Sequence, residues 1–103
     1  MADEDRSKTW ANVEVLNPLG MHARPAATVV QAASRHTCDV WIERDGARVN
    51  AKSVMALLTL AASQGARLKV VCAGVGSDEA LRDIVALFVA GFGELDDDSG
   101  GQT

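Results

Sequence analysis

The dipeptide Asp45-Gly46 stands between two short runs of alternating character, and no other feature of the chain restricts its possible folds as sharply. In "TCDVWIER", Cys38, Val40 and Ile42 fall opposite Asp39, Trp41 and Glu43, the two-residue period of a half-buried strand. Asp-Gly accepts the left-handed backbone of a two-residue hairpin turn. The next residues, Ala47 to Asn50, are therefore predicted to fold back antiparallel on the first run.

Two further runs join this hairpin. In "TWANVEVLN", residues 9–17, Val13 and Val15 face one way and Asn12 and Glu14 the other, and Asn17, Pro18 and Gly20 mark its end. In "ARLKVVCA", residues 66–73, Leu68, Val70 and Cys72 share a face. Helical spacing appears at Ala26, Val29, Val30 and Ala33, and again at Leu81, Ile84, Val85, Phe88 and Val89. Ser77, with Asp78 and Glu79 behind it, is expected to open the later helix, and Gly91 to close it. The order βαββαβα predicts an α+β domain with a four-stranded antiparallel sheet and helices on one face.

A chain of 103 residues that is 48% hydrophobic fits one core of this size. The longest uncharged stretch, residues 53–66, contains Thr59, Ser63, Gln64 and Gly65, so it is too short and too polar to span a bilayer. The opening "MADEDRSK" lacks the apolar segment of a secretory signal. A cytoplasmic protein without membrane contact is expected. The net charge of −4 gathers at the ends, with Asp3, Glu4 and Asp5 at one and Glu94, Asp96, Asp97 and Asp98 at the other. Residues 1–8 and 95–103 are expected to be disordered tails around a domain at 9–94. The net charge argues against nucleic acid, and the slightly basic body suits an acidic protein partner better. Cys38 and Cys72 have neither C-x-x-C spacing nor a histidine pair nearby, which makes them small apolar fillers and gives no metal site.

The chemistry concentrates in "GMHARPA", residues 20–26. A helix starting near Ala23 leaves its first amides without internal acceptors, and Pro25 is tolerated there because its missing N–H would be one of them. His22 then falls at the N-cap, with Gly20 providing the bend before it and Arg24 a guanidinium beside it. Unpaired amides, helix dipole and guanidinium together favour a dianionic group. An uncharged imidazole in that field is a nucleophile that can attack phosphorus, and the amides of Ala23 and Arg24 would hold the captured phosphoryl group. As plain structure, His22 is a polar cap and Arg24 a solvated residue of the first turn. A hydrolase using His22 as general base has little support, since its segment carries no Ser or Cys nucleophile.

The segment after Asn50 has more apolar residues than one helix face can bury. Leu57, Leu60 and Ala61 can face the core, while Val54, Met55 and Leu58 point largely elsewhere and are expected to form an exposed patch. Ser53 is predicted to cap this helix.

"GMHARPA" resembles the active-site motif of the HPr family, the histidine-containing phosphocarriers of the bacterial phosphotransferase system. "NAKSVMALLTLAASQGARL", residues 50–68, resembles the family's second signature, and "FVAGFGE", residues 88–94, its carboxyl-terminal end. The resemblance implies an open-faced sandwich with three helices and a monomeric carrier, itself no enzyme and needing no cofactor. It implies that His22 is phosphorylated at Nδ1 and that Arg24 stabilises the phosphate. It also implies that Val54, Met55 and Leu58 dock the donor, enzyme I, and IIA-type acceptors, and that Ser53 is the target of an HPr kinase. A second reading makes the chain mainly a regulator governed by Ser53, or a carrier of the nitrogen-related branch without a transport role. Leu19 replaces a small polar residue common in the family, and Gln31, Ser34 and Ala56 stand where enteric members carry basic residues. His36 matches no motif.

Overall fold

The computed structural model describes residues 8–95. Four strands, β1 (Lys8–Glu14), β2 (Asp39–Arg44), β3 (Ala47–Asn50) and β4 (Arg67–Ala73), form one antiparallel sheet in the order β1-β4-β2-β3. Three helices, α1 (Ala23–Ser34), α2 (Val54–Leu58) and α3 (Ser77–Val89), cover one face, and a 3-10 turn at Gly91–Gly93 follows α3. The expected βαββαβα order and open-faced antiparallel architecture are both present. Asp45 and Gly46 have φ of 51° and 87°, so both central residues of the hairpin take the left-handed backbone that selected this dipeptide.

Val13, Val40, Ile42, Leu68, Val70 and Cys72 make the sheet side of the core, and Ala26, Val29, Ala33, Ile84 and Phe88 the helix side. Alternation and helical spacing thus identified most of it. Three details differ. Gly76, at φ 82°, precedes the first turn of α3 without any side-chain cap bond, and Ser77 is the first helical residue, buried. Val89 lies off the stripe and is 67% exposed, whereas Ala80 is buried because it sits one turn before Ile84 on the inward side. Val71 is buried on the open face, where its cross-strand neighbours are Trp10 and Trp41. Lys69 lies 4.3 Å over the Trp10 ring and Arg48 5.0 Å over that of Trp41.

Most of the two proposed tails lies outside the described residues. Lys8, assigned to the first tail, pairs with Ala73 and opens β1, because antiparallel partners extend that far along β4. Leu95, assigned to the second, packs on Gly91, where an added Cβ would come within 2.5 Å of the leucine Cγ. Cys38 and Cys72 are unpaired and buried. Burial pushes the Cys72 thiol from its ordinary value of 9.0 to about 12 and raises Cys38 as well, in keeping with inert core residues. His36 binds Asp83 through Nε2 at 2.7 Å, joining the end of α1 to α3. Lys52 Nζ donates to the carbonyls of His36 and Cys38 at 2.9 and 2.8 Å, which satisfies backbone left open where α1 ends.

Candidate functional site

The site is built where β1 gives way to α1. Asn17 and Gly20 close a turn through a bond from Gly20 N–H to Asn17 O, and the Met21 amide then donates to Ala62 O at 2.8 Å. That contact holds the loop against residues 60–63. Gly20 has φ 71°, and a Cβ there would come within 2.5 Å of Ala62 O, so only glycine passes this point unstrained. The chain emerges with His22 as N-cap in an extended conformation, and the first turn closes with Ala26 N–H to His22 O at 3.1 Å. With Pro25 third in the helix, the opening amide hydrogens are those of Ala23 and Arg24, the pair read from the sequence.

The imidazole does not act as the cap, since it accepts no bond from the helix amides. Its Nε2 instead meets the Glu94 carboxylate at 2.9 and 3.1 Å. Glu94 follows the turn after α3 and has a side chain only 8% exposed, against 31% for His22. The fully buried Asn17 side chain donates to the same carboxylate at 2.8 Å and to Gly20 O at 2.8 Å. Arg24 Nη1 lies 3.9 Å from the other carboxylate oxygen. One carboxylate therefore ties the ring, the preceding loop and the arginine together. Asn17 Oδ1 is buried without a partner among the described residues.

This geometry selects a tautomer. A carboxylate can only accept, so Nε2 carries the hydrogen, and in a neutral ring Nδ1 is then left with a lone pair. Sequence reasoning missed both Glu94 and Asn17. It read Asn17 as a strand-end marker and gave Glu94, at the end of "FVAGFGE", no task. The surroundings also differ from the wholly positive cradle expected, because a negative group stands behind the ring.

Ser53 is found as predicted: it precedes α2, and its Oγ accepts from Ala56 N–H at 3.1 Å. The exposed apolar patch is narrower than expected. Met55 is 74% exposed, but Val54 and Leu58 are half-buried and packed on the core. The reason is length, since a five-residue helix is too short to keep a separate outer face. Leu57 and Leu60 are buried as expected, whereas Ala61 lies beyond the helix, exposed and at φ 49°. Leu19, three residues before His22, is 74% exposed. Gln31 and Ser34 are exposed on α1. Among the described residues, no group of His, Cys, Asp or Glu could hold a metal ion, and no helix is long and apolar enough to cross a membrane.

The family model for the PTS HPr component phosphorylation site matches residues 10–90. The phosphocarrier protein HPr of Treponema pallidum is 48% identical over 82 residues, covering 80% of this chain and 93% of its own length. The HPr-like protein Crh of Bacillus subtilis is 47% identical over 74 residues, covering 72% and 87%. A crystal structure of HPr from Thermoanaerobacter tengcongensis superposes with a TM-score of 0.81 at 41% identity, covering 84% of this chain and 97% of that one. The chain belongs to the HPr family and is a phosphocarrier of the phosphotransferase system.

Proposed function

We propose that His22 Nδ1 accepts a phosphoryl group from phosphorylated enzyme I and passes it to IIA-type proteins in the cytoplasm. The hydrogen bond from His22 Nε2–H to Glu94 carries this reading, because it turns Nδ1 into the nucleophilic nitrogen. In the forward step the Nδ1 lone pair forms the bond to phosphorus while the bond from phosphorus to the donor breaks, and the donor keeps that electron pair. The new phosphoryl oxygens gain the amides of Ala23 and Arg24 and the Arg24 guanidinium, which neutralise charge without moving the helix. Arg24 is 69% exposed on its side chain, so it can turn from Glu94 toward the phosphate. The His22 side chain is part-exposed, so a second nucleophile can reach the group and remove it. Met55, with Val54 and Leu58 beneath it, would then supply the apolar contact to donor and acceptor.

The test uses purified chain, enzyme I and labelled phosphoenolpyruvate. An acid-labile label on His22 that chases onto a IIA-type protein is expected; an unlabelled chain, or label on another residue, would overturn the assignment.

A second reading rests on Ser53. Its Oγ already faces the first turn of α2, and phosphorylation by an HPr kinase would place about two negative charges at a helix start that tolerates them, next to exposed Met55. Acidic partners would bind less well, and the chain would then act chiefly as a regulator. An intact mass that never gains phosphate at Ser53 in cells would remove this role. Incubation with enzyme I of the sugar-related and nitrogen-related branches in parallel distinguishes the two carrier assignments.

A further inference from the structure

Asn17 is fully buried in the loop between β1 and α1, and among the described residues its side chain bonds only as a donor. Nδ2 gives one hydrogen to Glu94 Oε1 and the other to Gly20 O, each at 2.8 Å. A carboxylate and a carbonyl can only accept, so the amide has one orientation here; turned over, its oxygen would face two acceptors. That orientation leaves Oδ1 buried and without a partner among the described residues, an arrangement that costs stability. Gly20 O also accepts the His22 N–H at 2.9 Å. Asn17 therefore reaches His22 twice, through the carboxylate behind the ring and through the carbonyl bonded to its backbone.

We propose that Asn17 is a positioning residue for phosphoryl transfer. By holding Glu94 Oε1, it fixes the carboxylate so that Oε2 keeps the hydrogen on His22 Nε2 before, during and after the step. This inference rests on His22 Nδ1 being the acceptor. The distances divide the two oxygens in the required way: His22 Nε2 lies 2.9 Å from Oε2 and 3.1 Å from Oε1, the oxygen that Asn17 holds. The third group at this carboxylate, Arg24, lies 3.9 Å from Oε2, and it is the one that turns to the phosphate in the proposed transfer. The buried amide keeps Glu94 in place when the guanidinium leaves. A neutral donor suits this task better than a cation. As the bond from Nδ1 to phosphorus forms, the ring that bears the Nε2 hydrogen takes up positive charge, and Asn17 orients the opposing carboxylate without adding a positive charge beside it.

Nitrogen-15 NMR of the free chain reads the tautomer and rapid-quench transfer from enzyme I reads the rate, with circular dichroism to verify that each variant is folded. In Asn17→Ala the share of rings protonated on Nδ1 should rise about tenfold and transfer should slow about fivefold. Asn17→Ser keeps one donor and should fall between that variant and the native chain; it carries the test if Asn17→Ala does not fold. Asn17→Ala combined with Glu94→Gln should be no slower than the about tenfold loss of Glu94→Gln alone, because the one acceptor retained at position 94 is then left to the ring. Losses that multiply to about fiftyfold would make Asn17 a brace of the loop and overturn the proposal. So would a native tautomer in the folded Asn17 variants. A native chain whose His22 takes no label would overturn the acceptor assignment instead, and the tautomer of the free chain would still decide whether Asn17 acts on the ring through Glu94.

Discussion

The loop before α1 and the start of α2 each place a polar side chain at a helix opening, and they do it by opposite means. Ser53 is held by a bond to a residue three positions away. His22 is held by a carboxylate 72 positions away, which is itself held by Asn17 at a separation of 77. The serine cap forms as soon as its own helix does. The histidine is oriented only when the whole sheet has closed and brought the end of α3 back to the start of α1. Orientation of the imidazole is thus a property of the complete fold, whereas the cap is a property of a few residues. This contrast also fits the two proposed tasks: a nucleophile needs a fixed nitrogen, and a modification site needs only to be reachable by a kinase.

Four substitutions can break or sharpen the comparison. His22→Ala removes the proposed acceptor of enzyme I's phosphoryl group, and phosphate transfer from enzyme I should fall by more than about a thousandfold, read as label incorporation at fixed time. Substantial remaining transfer would mean that the loop does not hold the acceptor. Gly20→Ala forces a Cβ against Ala62 O at positive φ. It should destabilise the domain by about 2–4 kcal/mol in urea unfolding. Little change would show that the loop is looser than the long-range contacts imply.

Glu94→Gln keeps the shape of the side chain while removing its charge and one acceptor. Phosphotransfer should slow about tenfold in rapid-quench measurements, since the ring loses part of what orients it. An unchanged rate would separate Glu94 from the chemistry. Ser53→Ala should cost about 1 kcal/mol of stability, the usual worth of an N-cap, and leave transfer from enzyme I unchanged. A comparable loss of transfer would show that the two helix openings are coupled.

The same division between near and far contacts explains what could be read from the sequence. The hairpin turn, the Ser53 cap, the amide pair at Ala23 and Arg24 and most core positions depend on neighbours within a few residues or on simple periods, and all were legible. Glu94 was hidden because nothing local marks a glutamate just after the Gly91–Gly93 turn as buried; its partners are brought to it by sheet closure. Val71 was hidden for a related reason. Alternation assigns it to the open face, and only the order of strands reveals that two tryptophans stand on either side. Val54 and Leu58 were read as more exposed than they are because the pattern does not disclose that α2 stops after five residues. The family resemblance supplied roles that no periodicity could, but it did not supply the contact that sets the tautomer.

Nitrogen-15 and phosphorus-31 NMR of the chain labelled at histidine tests the orientation most directly. Before transfer the His22 ring should carry its proton on Nε2 and a lone pair on Nδ1, and after transfer the phosphorus should couple to Nδ1. Coupling to Nε2, or a free ring protonated on Nδ1, would contradict the account.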